Sequence, residues 1–192
     1  MERTFVMIKP DGMQRGLVGD IIGRFERCGL KIVAMKLTKA SKDRVRSHYP
    51  SSEKWFKIVG QKTLKSYEEY GLDPKKDLGT DNELEIGKRV KDWLVEFISS
   101  GPVVCMVLEG NHAIDNVRRI VGNTLPIFAK PGTIRGDFSI DSADFANVKR
   151  RPIRNIVHAS GDKEEAKHEI NLWFKEAEIY KYKRAEEDIM FG

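Results

Sequence analysis

Cysteine is scarce and long apolar runs are missing. Two cysteines occur in 192 residues, and the longest unbroken apolar run is Val103–Leu108. That run falls far short of the ~20 residues a membrane-crossing helix requires, which excludes a membrane span. Cys28 and Cys105 are far apart and too few for a zinc site. Both lie in apolar stretches, which predicts buried free thiols and a reducing, cytoplasmic compartment. The opening Met1-Glu2-Arg3-Thr4, with a short apolar stretch halted by Lys9-Pro10-Asp11, does not make a signal peptide. No Gly-x-x-x-x-Gly-Lys-Ser/Thr loop occurs, and Gly16, Gly19 and Gly23 lack Gly-x-Gly-x-x-Gly spacing. His168-Glu169 has no second histidine four positions on, so the zinc-protease motif is missing too. Internal repeats and low-complexity tracts are also absent.

What is present is a globular mixture of 40% hydrophobic and 33% charged residues, which argues against disorder. A chain of this length buries roughly 70% of its unfolded surface and needs no covalent staple. One domain over residues 1–192 is the simplest organisation. The net charge of +5 suits a polyanionic partner without choosing among nucleotide, nucleic acid and membrane surface.

The pattern predicts a strand over 3–9, ended by Lys9-Pro10-Asp11-Gly12. Apolar residues at 17, 18, 21, 22, 25 and 28 form one helical face, and Gly29 is placed to end that helix. Ile32–Leu37 reads as a second strand. Val103–Leu108 reads as a central strand covered on both faces. A helix over 112–121, a last strand at Asn155–His158 and a helix from about Asp162 complete the order. Strand–helix–strand–strand–helix–strand is the ferredoxin-like α/β sandwich, a four-stranded antiparallel sheet covered by helices. Two segments read as additions to this core. Residues 60–97 are heavily charged, with a helix expected around 82–98. Residues 142–152 are polar and end in Lys149-Arg150-Arg151-Pro152.

Two stretches carry chemistry. Thr133-Ile134-Arg135-Gly136-Asp137, after Lys130-Pro131-Gly132, is a turn-rich loop with an arginine suited to binding phosphate oxygens in pairs. Asn155-Ile156-Val157-His158 places a histidine at the end of a strand. His48, His112 and His168 read as surface residues, so His158 is the histidine with an active-site context.

Taken together, these fragments resemble the nucleoside diphosphate kinase family. The resemblance rests on Thr4–Gly12, Gln14–Gly19, Ser100–Val104, Lys130–Phe138, Asn155–Ser160 and Glu169–Phe174. It implies γ-phosphoryl transfer from a nucleoside triphosphate to a nucleoside diphosphate through a phosphohistidine. His158 is then the nucleophile and Glu169 the residue that orients it. Lys9, Tyr49, Arg118, Thr124, Arg135 and Asn155 take the nucleotide-binding positions. Arg119 competes with Arg118, and counting back from Gly122 favours Arg118. A base-stacking ring is expected at Trp55 or Phe56, with Trp55 slightly favoured. The resemblance further implies Mg²⁺ carried on the nucleotide phosphates, and a homo-oligomer, a hexamer in most relatives, assembled through the Asn123–Gly132 loop. The run after His158 is Ala159-Ser160-Gly161-Asp162, where many relatives have Gly-Ser-Asp. A nucleic-acid-binding role for the basic run at 149–151 stands as the alternative of a different class.

Overall fold

The computed structural model describes the backbone of residues 1–192 and every side chain except that at position 191. Strand β1 (Glu2–Ile8) leads into α1 (Pro10–Gln14) and α2 (Val18–Arg27). Strand β2 (Lys31–Thr38) is followed by α3 (Lys42–His48), α4 (Glu53–Glu69), α5 (Pro74–Leu78) and α6 (Glu83–Ser99). Strand β3 (Val103–Gly110) precedes α7 (Ala113–Val121), α8 (Ile134–Phe138) and α9 (Ala143–Val148). Strand β4 (Val157–Ala159), α10 (Lys163–Trp173) and α11 (Glu187–Phe191) close the chain. The sheet order is β2-β3-β1-β4, with every pairing antiparallel. This is the ferredoxin-like sandwich expected from the pattern.

Alternation along β1 divides the core. Val6 and Ile8 face Met106, Leu108, Ile21, Phe25, Val117 and Val121, beneath α2 and α7. Phe5 and Met7 face Val95, Ile98, Cys105, Val107 and Trp173, beneath α6 and α10. Residues 103–108 are buried throughout, as a strand with both faces covered must be. Burial pushes the Cys105 thiol up to about 12, so it is inert. Cys28, by contrast, is exposed. The apolar spacing carried it onto the buried face, but α2 ends at Arg27 and Gly29 turns the chain away at φ 81°.

The segment between β2 and β3 is a helical hairpin, joined to the core through the end of α6. Helices α4 and α6 cross where Gly60 meets Gly87. A Cβ at Gly60 would lie 1.9 Å from the Glu83 carbonyl oxygen, and one at Gly87 would lie 2.0 Å from that of Phe56. Each backbone occupies the space that a side chain on the other helix would need. Tyr67, Leu78 and Ile86 form a small core of their own beneath this crossing. Helix α9 packs on α4.

Candidate active site

A cleft of about 1240 Å³ opens between the sheet edge at β1 and β4, the end of α7, the 122–125 loop, α8, and the helices α4, α6 and α9. Lys9, Tyr49, Arg118, Thr124, Arg135, Asn155 and His158 all line it. The fold thus brings together seven residues chosen from widely separated parts of the sequence.

His158 pairs with Met7 across the β1–β4 ladder, which fixes its backbone at the sheet edge. Its Nε2 lies 2.7 Å from Glu169 Oε1. Glu169, on α10, is 3% exposed and accepts a second hydrogen bond from the Ser160 hydroxyl at 2.6 Å. Both carboxylate oxygens are therefore committed, and the ionised form assigns the proton to Nε2 and leaves Nδ1 with its lone pair. Burial, then the positive charges of Lys9 and Arg135, holds His158 down to about 3. The imidazole is neutral at physiological pH. Burial shifts Glu169 upward, while the adjacent His48 and Ser160 oppose that shift.

His48 was read as a surface residue, and the structure overturns this. It is 3% exposed and stands edge-on to His158, with 4.5 Å between ring centres. Its Nδ1 accepts the Trp173 indole N–H at 3.3 Å and lies 3.5 Å from Glu169 Oε1. Desolvation, followed by the nearby His158, lowers it to about 3. The missed signal is spacing: Val45 and His48 are three apart on α3 and share its buried face. His112 and His168 are exposed, as expected.

The cationic end of the cleft is built on neutral partners. Lys9 Nζ donates to Asn155 Oδ1 at 2.5 Å, and Asn155 Nδ2 donates to the Thr124 carbonyl at 2.7 Å. Burial and the Arg135 charge bring Lys9 down to about 8. Arg135 donates to the carbonyls of Asn155 (3.3 Å), Gly122 (2.8 Å) and Val157 (2.7 Å). Three of its five N–H groups are thus spent on holding the loop, which leaves two for a ligand. The last strand begins at Val157 rather than Asn155. Ile156 adopts φ 70°, a left-handed conformation that costs a β-branched residue on the order of 1–3 kcal/mol. Asp11 Oδ2 accepts its N–H at 3.0 Å, and its carbonyl accepts the Lys9 N–H at 2.8 Å. Those two bonds hold the turn that points Asn155 and His158 into one cleft.

Arg119 Nη2 donates to Asn116 Oδ1 within its own helix, whereas the Arg118 guanidinium passes close to Gly161, just beyond His158. This favours Arg118 as the arginine directed toward the nucleophile. Tyr49 lies at the end of α3, its ring 6.5 Å from that of His158. Burial pushes its phenol above the usual range, so it stays protonated.

Trp55 and Phe56 do not line the cleft. They sit on the first turn of α4, where Trp55 meets Tyr49 and Phe56 lies under the Lys91 ammonium. The cleft-facing side of α4 begins one turn later, at Val59. Two aromatic rings line the cleft from the helical hairpin: Tyr70, just past the end of α4, and Trp93 on α6, flanked by Val90 and Leu94.

The basic run at 149–151 is largely occupied. Arg151 forms a two-pronged pair with Asp141 at 2.6 and 2.9 Å, and both Arg151 and Lys149 lie over the Phe145 ring.

The family model described as nucleoside diphosphate kinase matches residues 2–69 and 82–179. The chain belongs to the nucleoside diphosphate kinase family. A nucleoside diphosphate kinase of Pyrobaculum aerophilum is 52% identical over 179 residues, 93% of this chain and 98% of that relative. One from Archaeoglobus fulgidus is 41% identical over 191 residues, covering 100% of this chain and 98% of the relative. The crystal structure of an NDP kinase from P. aerophilum superimposes with a TM-score of 0.92 at 50% identity, covering 94% of this chain and 99% of that one. A Borrelia burgdorferi nucleoside-diphosphate kinase, solved as a transition-state mimic with bound vanadate and ADP, superimposes with a TM-score of 0.77 at 37% identity. It covers 97% of this chain and 94% of its own. Within the helical hairpin, the family model leaves residues 70–81 unmatched, while 142–152 lie inside the matched span.

Proposed function

We propose that this cleft transfers the γ-phosphoryl group of a nucleoside triphosphate to a nucleoside diphosphate in two half-reactions, with His158 carrying the group between them. The observation that carries this reading is the His158–Glu169 pair at the mouth of a cationic cleft. With Nε2–H engaged by Glu169, the Nδ1 lone pair attacks the γ-phosphorus. The bond to the β,γ-bridging oxygen breaks, and the nucleoside diphosphate leaves with that electron pair. No proton has to move, because Nδ1 carries none. The phosphorylated ring gains positive character, which the Glu169 carboxylate stabilises. A second diphosphate then attacks the phosphoryl group in the reverse sense and restores the neutral imidazole.

Lys9, Arg118 and the two remaining N–H groups of Arg135 neutralise phosphate charge in this reading, and phosphoryl transfer depends mainly on such positioning and neutralisation. Thr124 and Tyr49 border the reacting phosphate, and Asn155 holds the ribose. The base lies against Trp93 and Leu94 rather than Trp55 or Phe56. Stacking on one ring is worth roughly 1–3 kcal/mol for any base. Mg²⁺ supplies charge neutralisation on the phosphates. The residues fit an ion held by phosphate oxygens and water, since both Glu169 oxygens are committed to His158 and Ser160.

The chain acts as one catalytic domain over residues 1–192, and the additions expected at 60–97 and 142–152 narrow to 70–81, the stretch of the helical hairpin that the family model leaves unmatched. Assembly into a homo-oligomer, a hexamer by family precedent, is supported by the exposed Ile127 and Phe128 in the Asn123–Gly132 loop. No helix is long and apolar enough to cross a membrane. A cytoplasmic location suits the nucleotide substrates and the free thiols.

Incubation with γ-labelled ATP and Mg²⁺ tests the reading. Acid-labile, base-stable label is expected on His158, discharged by added nucleoside diphosphate. His158→Ala is expected to lose on the order of 10³-fold or more in turnover, as loss of a covalent nucleophile should. A His158→Ala protein that labels and turns over like the parent overturns the assignment.

A further inference from the structure

The turn between α3 and α4 begins with Tyr49, and a lysine from the helical hairpin holds that turn. Lys91 lies on α6 and is 6% exposed. Its Nζ donates to the Tyr49 carbonyl at 3.0 Å, to the Pro50 carbonyl at 3.1 Å and to the Ser51 hydroxyl. An ammonium has three protons, so all of them are spent on consecutive residues of one turn. Helix α3 ends at His48, which leaves the Tyr49 carbonyl without a helical partner, and Lys91 supplies the bond. No carboxylate pairs with Lys91 among the described residues, and the adjacent Asp92 is engaged by Arg46 instead. Burying an ammonium against neutral groups alone is unfavourable unless its hydrogen bonds offset the lost hydration. Pro50 and Ser51 are exposed, so water could satisfy the turn without a buried charge. What water cannot do is tie the turn to α6, the helix whose Val90 and Trp93 line the cleft on either side of Lys91 in sequence. Tyr49 lines the same cleft, its ring 6.5 Å from that of His158.

We propose that Lys91 is a positioning residue for phosphoryl transfer: by fixing the 49–51 turn, it sets the Tyr49 phenol against the reacting phosphate. The inference rests on the reading of the cleft as the nucleotide site, in which Tyr49 borders that phosphate. Lys91 does not line the cleft, so its ammonium acts through the backbone and touches neither nucleotide nor His158. The phenol stays protonated, which makes it a donor to phosphate oxygen. Such a bond is directional, and a group misplaced by about 1 Å at a reacting centre loses much of its effect. Without Lys91 the turn carbonyls pass to water and the chain still folds, but nothing fixes the distance from Tyr49 to the cleft wall on α6. The hairpin, which contains the stretch that the family model leaves unmatched, thereby reaches the reacting centre through one side chain.

The test is a double-mutant cycle on the full-length protein, read by rapid-quench phosphorylation with γ-labelled ATP and Mg²⁺. Lys91→Met keeps the unbranched stem of the side chain and removes its donors. At saturating ATP its phosphorylation rate is expected to fall about tenfold, the scale of one hydrogen bond to a charged group, with KM nearly unchanged. Tyr49→Phe should lose a similar factor. Adding Lys91→Met to Tyr49→Phe should then lower the rate no further, because the group that Lys91 positions is gone. Lys91→Gln keeps an N–H pair for two of the three acceptors and should recover part of the rate. It carries the same cycle should Lys91→Met fail to fold. Losses that multiply in the double variant overturn the proposal, since a lysine with a structural role alone acts independently of the phenol. A Lys91→Met or Tyr49→Phe protein that phosphorylates at the parental rate overturns it as well. Absence of label on His158 in the parent would refute the phosphohistidine reading itself, a separate outcome.

Discussion

Replacing Glu169 by Gln isolates what the carboxylate does for the nucleophile. The native group accepts from His158 Nε2–H at 2.7 Å and from the Ser160 hydroxyl at 2.6 Å. An amide has one acceptor and one donor, so it cannot reproduce both bonds in the same sense. With its NH₂ toward the imidazole, it favours the tautomer that carries the proton on Nδ1, and the attacking lone pair disappears. With its oxygen toward the imidazole, the NH₂ faces Ser160. That oxygen can then accept, because its own proton can turn to the Phe5 carbonyl at 3.4 Å. The second arrangement keeps the nucleophile but loses the charge-assisted bond, worth about 1.5–3 kcal/mol. At 1.36 kcal/mol per factor of ten, the phosphorylation rate should drop about 10- to 150-fold. Rapid-quench measurement of label transfer from γ-labelled ATP at saturation reads this step directly. The KM for ATP should move little, since Glu169 sits behind the imidazole and does not line the cleft. A Glu169→Gln protein that forms phosphoenzyme at the parental rate would refute the argument that this carboxylate sets the tautomer and stabilises the charged ring.

Four further outcomes follow from burial and packing. His48 and His158 titrate at about 3 when folded, against ~6.5 in an unfolded chain, so the unfolded state binds more protons between those values. Stability is fully present above pH 6.5 and lost as the pH falls toward 3. Thermal melts should show Tm dropping through that window, with a shallower drop in His158→Asn; a flat profile contradicts the neutral histidines. Lys9 is held at about 8, so its charge is lost as the pH rises through that value and kcat/KM should decline on the alkaline side. Lys9→Arg should remove that limb, because arginine stays charged. Gly60→Ala places a Cβ 1.9 Å from a backbone oxygen and should cost about 1–3 kcal/mol, several degrees in Tm. Gly19→Ala, in open space within α2, should raise stability by up to about 1 kcal/mol.

The core elements were readable because their periodicity and their burial agree. Val103–Leu108 is apolar at every position and buried on both faces, and the β1 alternation divides the two halves of the core. The cleft residues on the sheet side were equally readable, because Lys9, Arg135, Asn155 and His158 sit in the short stretches that carry the family resemblance. Misreadings cluster where a helix had to be oriented. Trp55 and Phe56 are the nearest aromatic pair to Tyr49 in sequence, yet the rotation of α4 turns its later residues into the cleft. Trp93, nearly forty residues on, lines the cleft only because α6 crosses α4 at Gly60 and Gly87. That crossing is invisible to a search for hydrophobic period, since glycine contributes nothing to it. His48 reads as exposed for a related reason: it ends a short, mostly charged helix in which only Val45 shares its buried face.

The partners chosen for each cation explain why a net charge of +5 says so little about where the anion binds. Most of the ion-paired cations outside the cleft are matched by carboxylates. Lys31 lies between Glu109 and Glu187, and Arg24 holds Asp137. Around His158 the pattern reverses. Lys9 is held by a neutral amide oxygen and Arg135 by three carbonyls, bonds that fix the side chains without cancelling their charge. The carboxylate nearest the reacting centre, Glu169, gives its oxygens to an imidazole and a hydroxyl rather than to Lys9. A Lys9–Glu169 pair would have neutralised a phosphate-binding charge and released the imidazole tautomer at once. Neutral partners keep the cations available to phosphate, and their field adds to burial in holding His158 unprotonated, so one arrangement prepares both the binding site and the nucleophile.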